Sequence, residues 1–80
     1  MTYLATFHTH FDAMKFARHW NKNGVLSEIK PVPRKVSSSC GSCVVFESDC
    51  KKDLQPFIQM NVEGIYLVVD TGYEELYKEQ

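Results

Sequence analysis

Two cysteines three positions apart are the residues of this 80-residue chain whose types and spacing most favour chemistry. Cys40 and Cys43 form a Cys-x-x-Cys motif, Cys40-Gly41-Ser42-Cys43, at the predicted junction between a loop and a strand. This spacing lets two sulfur atoms form a disulfide or bind one metal ion together. Free cysteines are also often just small buried apolar residues. The motif alone therefore leaves a reactive thiol, a metal site and a structural role open.

The residues around the motif favour an anionic sulfur. Lys30, Arg34 and Lys35 are the densest group of cations near it in the sequence, and a nearby positive charge stabilises a thiolate. Gly41 has no side chain, so its N–H can approach an anion closely, and the neighbouring serines offer hydroxyl donors. A nucleophilic or carrier cysteine needs such surroundings.

The other candidate ligands and thiols are scattered. His8, His10 and His19 fall on different predicted elements, and we expect each to be solvated or hydrogen-bonded rather than a metal ligand. Cys50 could resolve a mixed disulfide, although we expect it to be a bystander. Structural zinc needs four ligands and the motif supplies two. We therefore expect no metal and no other cofactor.

Composition excludes several classes of protein. The formal net charge of −1 gives no basic face for nucleic acid or for an anionic membrane. No apolar run approaches the ~18 residues of a membrane span, and the first residues do not form a signal peptide. We therefore expect one domain, residues 1–80, in the cytoplasm, where disulfides are usually transient. An odd number of cysteines also disfavours a fully paired scaffold.

Hydrophobic periodicity predicts four strands and two helices in the order β-α-β-β-α-β. The strands are expected at residues 3–7, 25–30, 43–47 and 64–69, and the first helix within residues 11–23. Thr9 or Asp12 is expected to cap this helix, and Asn23-Gly24 to end it. The aromatic residues of the two helices are expected to lie in the core; they are Phe11, Phe16, Trp20 and Phe57.

The second helix is expected to start near Asp53, which leaves Pro56 in its first turn. Residues 73–78 are predicted to add a short C-terminal helix. The doubled split β-α-β pattern predicts an α+β ferredoxin-like sandwich, in which both helices cover one face of a four-stranded antiparallel sheet. That fold has many unrelated functions and does not decide the activity.

The segment between the second and third predicted strands resembles the signature of a family of very small bacterial proteins. It contains a Pro-x-Pro-Arg block and a Ser-Ser-x-Cys-Gly block, and it is Pro31-Val32-Pro33-Arg34-Lys35-Val36-Ser37-Ser38-Ser39-Cys40-Gly41. Over nearly its whole length the chain is similar to the selenium/sulfur (Se/S) carrier protein-like family. The resemblance implies that Cys40 is the carrier thiol and that Arg34, Ser39 and Gly41 support it. Many relatives have another residue at Cys43, which we interpret as a candidate resolving thiol.

These observations predict a carrier that is not an enzyme. Cys40 would hold sulfur or selenium as a persulfide or selenosulfide, exchanged with donor and acceptor proteins. A small thiol-based metal-binding or redox-sensing module is one alternative, although ferredoxin-like copper chaperones place their Cys-x-x-Cys after the first strand. A non-catalytic interaction domain is the other. Exposed edge strands make a homodimer plausible.

Overall fold

The computed structural model describes residues 1–49 and 54–79, which form one antiparallel sheet and two helices. In chain order the elements are β1 (Thr2–Phe7), α1 (His10–Lys22), β2 (Ser27–Pro31), β3 (Ser42–Glu47), α2 (Gln55–Ile58), β4 (Val62–Val69) and β5 (Gly72–Lys78). The strands lie side by side in the order β2-β3-β1-β4-β5, and every neighbouring pair is antiparallel. Neither helix of these residues is long and apolar enough to cross a membrane.

The α+β class, the antiparallel sheet and the two helices agree with the expectation, but the number of strands does not. Residues 73–78, expected to be a helix, belong to β5, which pairs with β4. Glutamate, leucine and lysine are good helix formers, but pairing to a neighbouring strand overrides that weak preference. The sheet thus has five strands, and the predicted four-stranded ferredoxin-like arrangement is wrong in that respect.

Helix α1 begins and ends at the residues that local chemistry favours. The Thr9 side chain accepts a hydrogen bond from the Asp12 N–H at 3.1 Å, which confirms Thr9 as the N-cap. At the other end, Asn23 is the C-cap, and Gly24 follows with a φ of 83°, a conformation that favours glycine. The helix therefore stops where Asn23-Gly24 predicts.

The face of the sheet beneath the helices holds an aromatic core. Phe16 of α1 lies at the centre of this core, with ring-centroid distances of 5.2 Å to Phe7, 5.4 Å to Phe46 and 6.1 Å to Phe57. Because Phe57 belongs to α2, both helices cover the same face, as expected. Only Phe11 departs from its predicted place: it is 67% exposed, because five residues along a helix turn it by roughly 140° from Phe16.

Helix α2 is a single turn. Pro56 occupies its first turn, as predicted, and Phe57 is its buried residue. The expected start near Asp53 and the candidate thiol Cys50 lie outside the described residues.

The opposite face of the sheet is covered by the loop that joins β2 to β3. Leu4, Val36, Cys43 and Tyr66 form a second buried cluster there, and Val36 comes from the loop itself. A turn shapes the loop, since the Val36 N–H donates to the Pro33 carbonyl at 3.1 Å. The loop therefore leaves β2, crosses the face away from the helices and returns to β3 with the Cys-x-x-Cys motif.

Candidate functional site

The two cysteines of the motif lie in different parts of the core. Cys43 is on β3 and belongs to the cluster under the β2–β3 loop. Cys40 precedes β3 and packs against the aromatic core on the helix side. Both thiols are free. The three-residue spacing has therefore placed the two side chains against opposite layers of the molecule.

Cys43 is a buried, protonated thiol. Its side chain is 0% exposed, and its Sγ lies 3.7 Å from the Pro31 carbonyl oxygen. The pKa of Cys43 is raised to about 11, chiefly by burial and to a lesser extent by the nearby Cys40, while the positive charge of Lys30 opposes both effects. Since the thiolate is the nucleophile, Cys43 is unreactive at neutral pH in this conformation.

Cys40 is half-buried and lies beside a hydrogen-bonded serine. Its Sγ is 3.3 Å from the Ser42 carbonyl oxygen, and its N–H donates to the Ser38 hydroxyl at 3.4 Å. The Ser42 hydroxyl oxygen is 2.8 Å from Nδ1 of His10, the first residue of α1. Ser42 therefore links Cys40 to an imidazole that comes from 30 positions earlier in the chain.

Glu63, at the start of β4, holds the other side of the loop. Its two carboxylate oxygens accept the Ser39 N–H at 3.1 Å and the Ser39 hydroxyl at 2.5 Å. Burial alone would raise the pKa of Glu63, but the hydrogen bonds from Ser39 and Ser38 and the charge of His8 outweigh it and hold the pKa below its usual value. His8 lies 3.6 Å from Glu63 and also contacts Glu79. The residue before Cys40 is thus fixed to the sheet by an ionised carboxylate.

The structure does not bring every predicted site residue to Cys40. Ser39 is adjacent to it and anchored to Glu63, whereas Arg34 lines a separate cavity of about 420 Å³ next to Val68 and the β4–β5 turn. Glu63 and Val68 are five residues apart on β4, or roughly 17 Å along the strand. Gly41 is exposed, and a Cβ there would meet nothing within 4 Å, so space alone does not require a glycine.

No role in the site was predicted for two of its residues, Glu63 and His10. The residues next to Glu63 in the sequence give no indication of its contact with Ser39, because that contact depends on the pairing of β1 with β4. His10 was considered only as an isolated histidine, and its contact with Ser42 depends on where α1 crosses the sheet. In residues 1–49 and 54–79, no three or more His, Cys, Asp and Glu side chains are grouped so that they could hold a metal ion.

The similarity of the chain to known proteins is at the level of a family. No curated protein and no solved structure matches it. The sequence profile of the family described as "putative Se/S carrier protein-like" matches residues 2–77, nearly the whole chain. The chain therefore belongs to the Se/S carrier protein-like family.

Proposed function

We propose that the protein carries a sulfur or selenium atom on Cys40, as a persulfide or selenosulfide, between a donor and an acceptor protein. The observation that supports this most directly is the contrast within the motif. Cys40 has a free, half-buried thiol in a loop, and Cys43 is fully buried. Membership of the carrier-like family supports the same assignment.

Loading is an exchange between thiols. The Cys40 thiolate attacks the terminal sulfur of a donor persulfide, the S–S bond of the donor breaks, and a new S–S bond forms on Cys40. The donor leaves as a thiol with the proton of its persulfide. In delivery, an acceptor thiolate attacks the terminal sulfur and Cys40 leaves as a thiolate. Neither step changes the total oxidation state, so the carrier is regenerated without a reductant.

The anchored loop supports this exchange by holding Cys40 in place. Ser39 is fixed to Glu63 on one side of Cys40, and Ser42 is hydrogen-bonded to His10 on the other. A preorganised thiol loses less conformational entropy when a partner binds.

The resolving role predicted for Cys43 would add a different step. The Cys43 thiolate would attack the inner sulfur of the loaded Cys40, form a Cys40–Cys43 disulfide and release hydrosulfide. That step requires Cys43 to leave its buried cluster and to ionise against a pKa of about 11. Direct transfer to an acceptor needs neither change, and it is the route we propose.

Variants that each keep one cysteine test the proposal. Each is incubated with a small-molecule persulfide donor or its selenium analogue and weighed intact. The Cys40-only variant should gain one sulfur or selenium atom, and the matched Cys43-only variant should not while it stays folded. No added mass on the Cys40-only chain, or equal loading of the two, would overturn the assignment.

Direct transfer is tested separately with Cys43→Ala. A loaded Cys43→Ala variant should deliver its sulfur to an acceptor thiol at the rate of the wild type. A large loss of rate would assign the release step to Cys43. Elemental analysis of protein purified without chelator separates the carrier from the metal-binding alternative, which requires near-stoichiometric zinc or copper.

A further inference from the structure

Helix α1 presents a row of exposed side chains that the core does not use. Phe11, Lys15, Arg18 and Lys22 are spaced by four, three and four residues, so they lie on one face of the helix. All four are exposed, whereas Ala13, Phe16 and Ala17 of the same helix are buried. We call these four residues the α1 stripe.

A groove runs beside the cations of the α1 stripe. A cavity of about 310 Å³ is lined by Lys15, Arg18, His19 and Lys22 of α1 and by Met60, which follows α2. Both ion pairs among the residues that the structure describes involve His8. Lys15, Arg18 and Lys22 therefore have no carboxylate partner within those residues. The groove thus has cationic and apolar walls, and none of the described residues that line it carries a carboxylate.

The apolar end of the α1 stripe is connected to Cys40 through His10 and Ser42. Phe11 is 67% exposed, and its ring lies 5.6 Å from the Lys15 ammonium nitrogen. Phe11 directly follows His10, whose ring contacts the Ser42 hydroxyl, and the Ser42 carbonyl contacts the Cys40 thiol. A protein chain that lies along the stripe therefore approaches the helix side of the loop, where Cys40 packs.

We propose that the α1 stripe docks an acidic segment, carrying one apolar side chain, of the protein that exchanges sulfur with Cys40. This inference rests on the carrier function proposed above. The three cations attract the carboxylates of such a segment, Phe11 and the Met60 groove accept its apolar side chain, and the cysteine of the partner is brought to Cys40. Nucleic acid fits less well, because the chain as a whole has a net charge of −1.

A matched pair of donor peptides tests the proposal. One is a short peptide of glutamates with a leucine and a persulfidated cysteine, and the other has glutamine at every glutamate. At low ionic strength the acidic peptide should load Cys40 at least about tenfold faster, because opposite charges speed encounter. High salt should remove the difference, since it screens exposed charges.

Two charge-reversal variants locate the effect. The double variant Arg18→Glu/Lys22→Glu should lose the preference for the acidic peptide. The control Lys35→Glu/Thr71→Glu lowers the net charge by three, where the double variant lowers it by four. Both residues lie beside the β4–β5 turn, where the structure also places Arg34, so this variant should keep most of the preference. Phe11→Ser should slow loading from the acidic peptide, with its folded signal unchanged. Equal rates for the two peptides, or a preference that survives in Arg18→Glu/Lys22→Glu, would overturn the proposal.

The failure of docking can be told apart from the failure of the carrier function. If neither peptide loads Cys40, the carrier proposal is wrong, and docking is then measured with the same acidic peptide carrying serine for cysteine. Its binding should shift the amide NMR signals of α1 in the wild type but not in Arg18→Glu/Lys22→Glu. Absence of these shifts would refute docking. Stronger shifts with single-stranded RNA, or a wild-type dimer that is lost in Arg18→Glu/Lys22→Glu, would assign the stripe to another occupant and refute it too.

Discussion

Cys40 and Cys43 are three residues apart and have opposite surroundings. Strand β3 begins at Ser42, and from there the side chains alternate between the two faces of the sheet. The Cys43 side chain therefore lies in the buried cluster beneath the β2–β3 loop. Cys40 precedes the strand, in a loop held by Ser39 and Ser42. The comparison teaches that a Cys-x-x-Cys spacing does not by itself make a redox pair. The position at which the strand begins decides whether the two thiols share an environment.

Alkylation rates should show the largest contrast between the two thiols. At about pH 7.5, a pKa of about 11 leaves a thiolate on roughly one Cys43 in 3,000 molecules. Iodoacetamide labelling of a Cys43-only variant should therefore rise at least about a hundredfold when urea unfolds the chain, because the pKa returns toward 9.0 and the burial is lost. Labelling of the Cys40-only variant should rise far less. Mass spectrometry against time measures both rates, and equal rates in the folded state would remove the contrast.

Alkaline unfolding should show that Cys43 is the thiol coupled to stability. Its pKa is raised in the folded chain, so the folded state keeps the proton to higher pH and the free energy of unfolding falls as the pH rises from about 9 to about 11. We expect Cys43 to contribute a fall of about 2 kcal/mol. Urea unfolding of the wild type and Cys43→Ala across this range measures it.

The comparison with Cys43→Ala also controls for the titration of a second residue, Tyr66. The pKa of Tyr66 is raised by burial, and then by Glu75 and Glu63, so this tyrosine acts in the same direction in both proteins. Only the difference between the two curves of unfolding free energy against pH is therefore due to Cys43. Parallel curves for the two proteins would show that Cys43 is not coupled to the unfolding.

Glu63→Gln should loosen the loop at Cys40 without affecting Cys43. The substitution removes the charged acceptor of two Ser39 hydrogen bonds, and we expect a loss of about 1–2 kcal/mol at neutral pH. Because the pKa of Glu63 is lowered on folding, this contribution is present above the ordinary value of 4.5 and is lost as the pH falls through the folded value. Urea unfolding and the exchange rate of the Ser39 amide proton provide the measurements. Faster labelling of Cys43 than of Cys40 in this variant would contradict the separation of the two environments.

His10→Gln should have the smallest effect. The imidazole reaches Cys40 only through Ser42, so we expect the Cys40 alkylation rate to change by about two- to threefold, which corresponds to one weak hydrogen bond. The matched change His19→Gln, elsewhere on α1, should leave the rate as it is. A labelling rate that responds equally to both substitutions would remove His10 from the site.

Local signals predicted the parts of the fold that depend on neighbouring residues. Hydrophobic periodicity predicted the strand at residues 3–7, and its alternate residues Tyr3, Ala5 and Phe7 all lie in the core beneath the helices. The Thr9 cap and the Asn23-Gly24 stop are likewise properties of a few adjacent residues. These signals needed no knowledge of the rest of the chain.

The remaining features depend on partners that are distant in sequence. Residues 73–78 were predicted to form a helix because they include good helix formers. The pairing of β5 with β4 outweighs that preference, and it cannot be deduced from these residues alone. The Ser39–Glu63 and His10–Ser42 contacts span 24 and 32 positions, and they follow from the order of the strands. The sequence pointed to Cys40 through its cationic, serine-rich surroundings, yet Arg34 lies with the β4–β5 turn instead. Proximity along the chain was thus a poor guide to which cations surround the thiol.

The central position of β1 has a consequence for how the chain is made. This strand is synthesised before its two partners, β3 and β4, and its pairing reaches Tyr66 across from Leu4. Contacts between residues so far apart in sequence slow folding. The middle of the sheet therefore forms only after β4 has been translated. Glu63 is made late as well, so the loop around Cys40 receives its anchor among the last events of folding, and a nascent chain exposes this thiol before it is positioned for exchange.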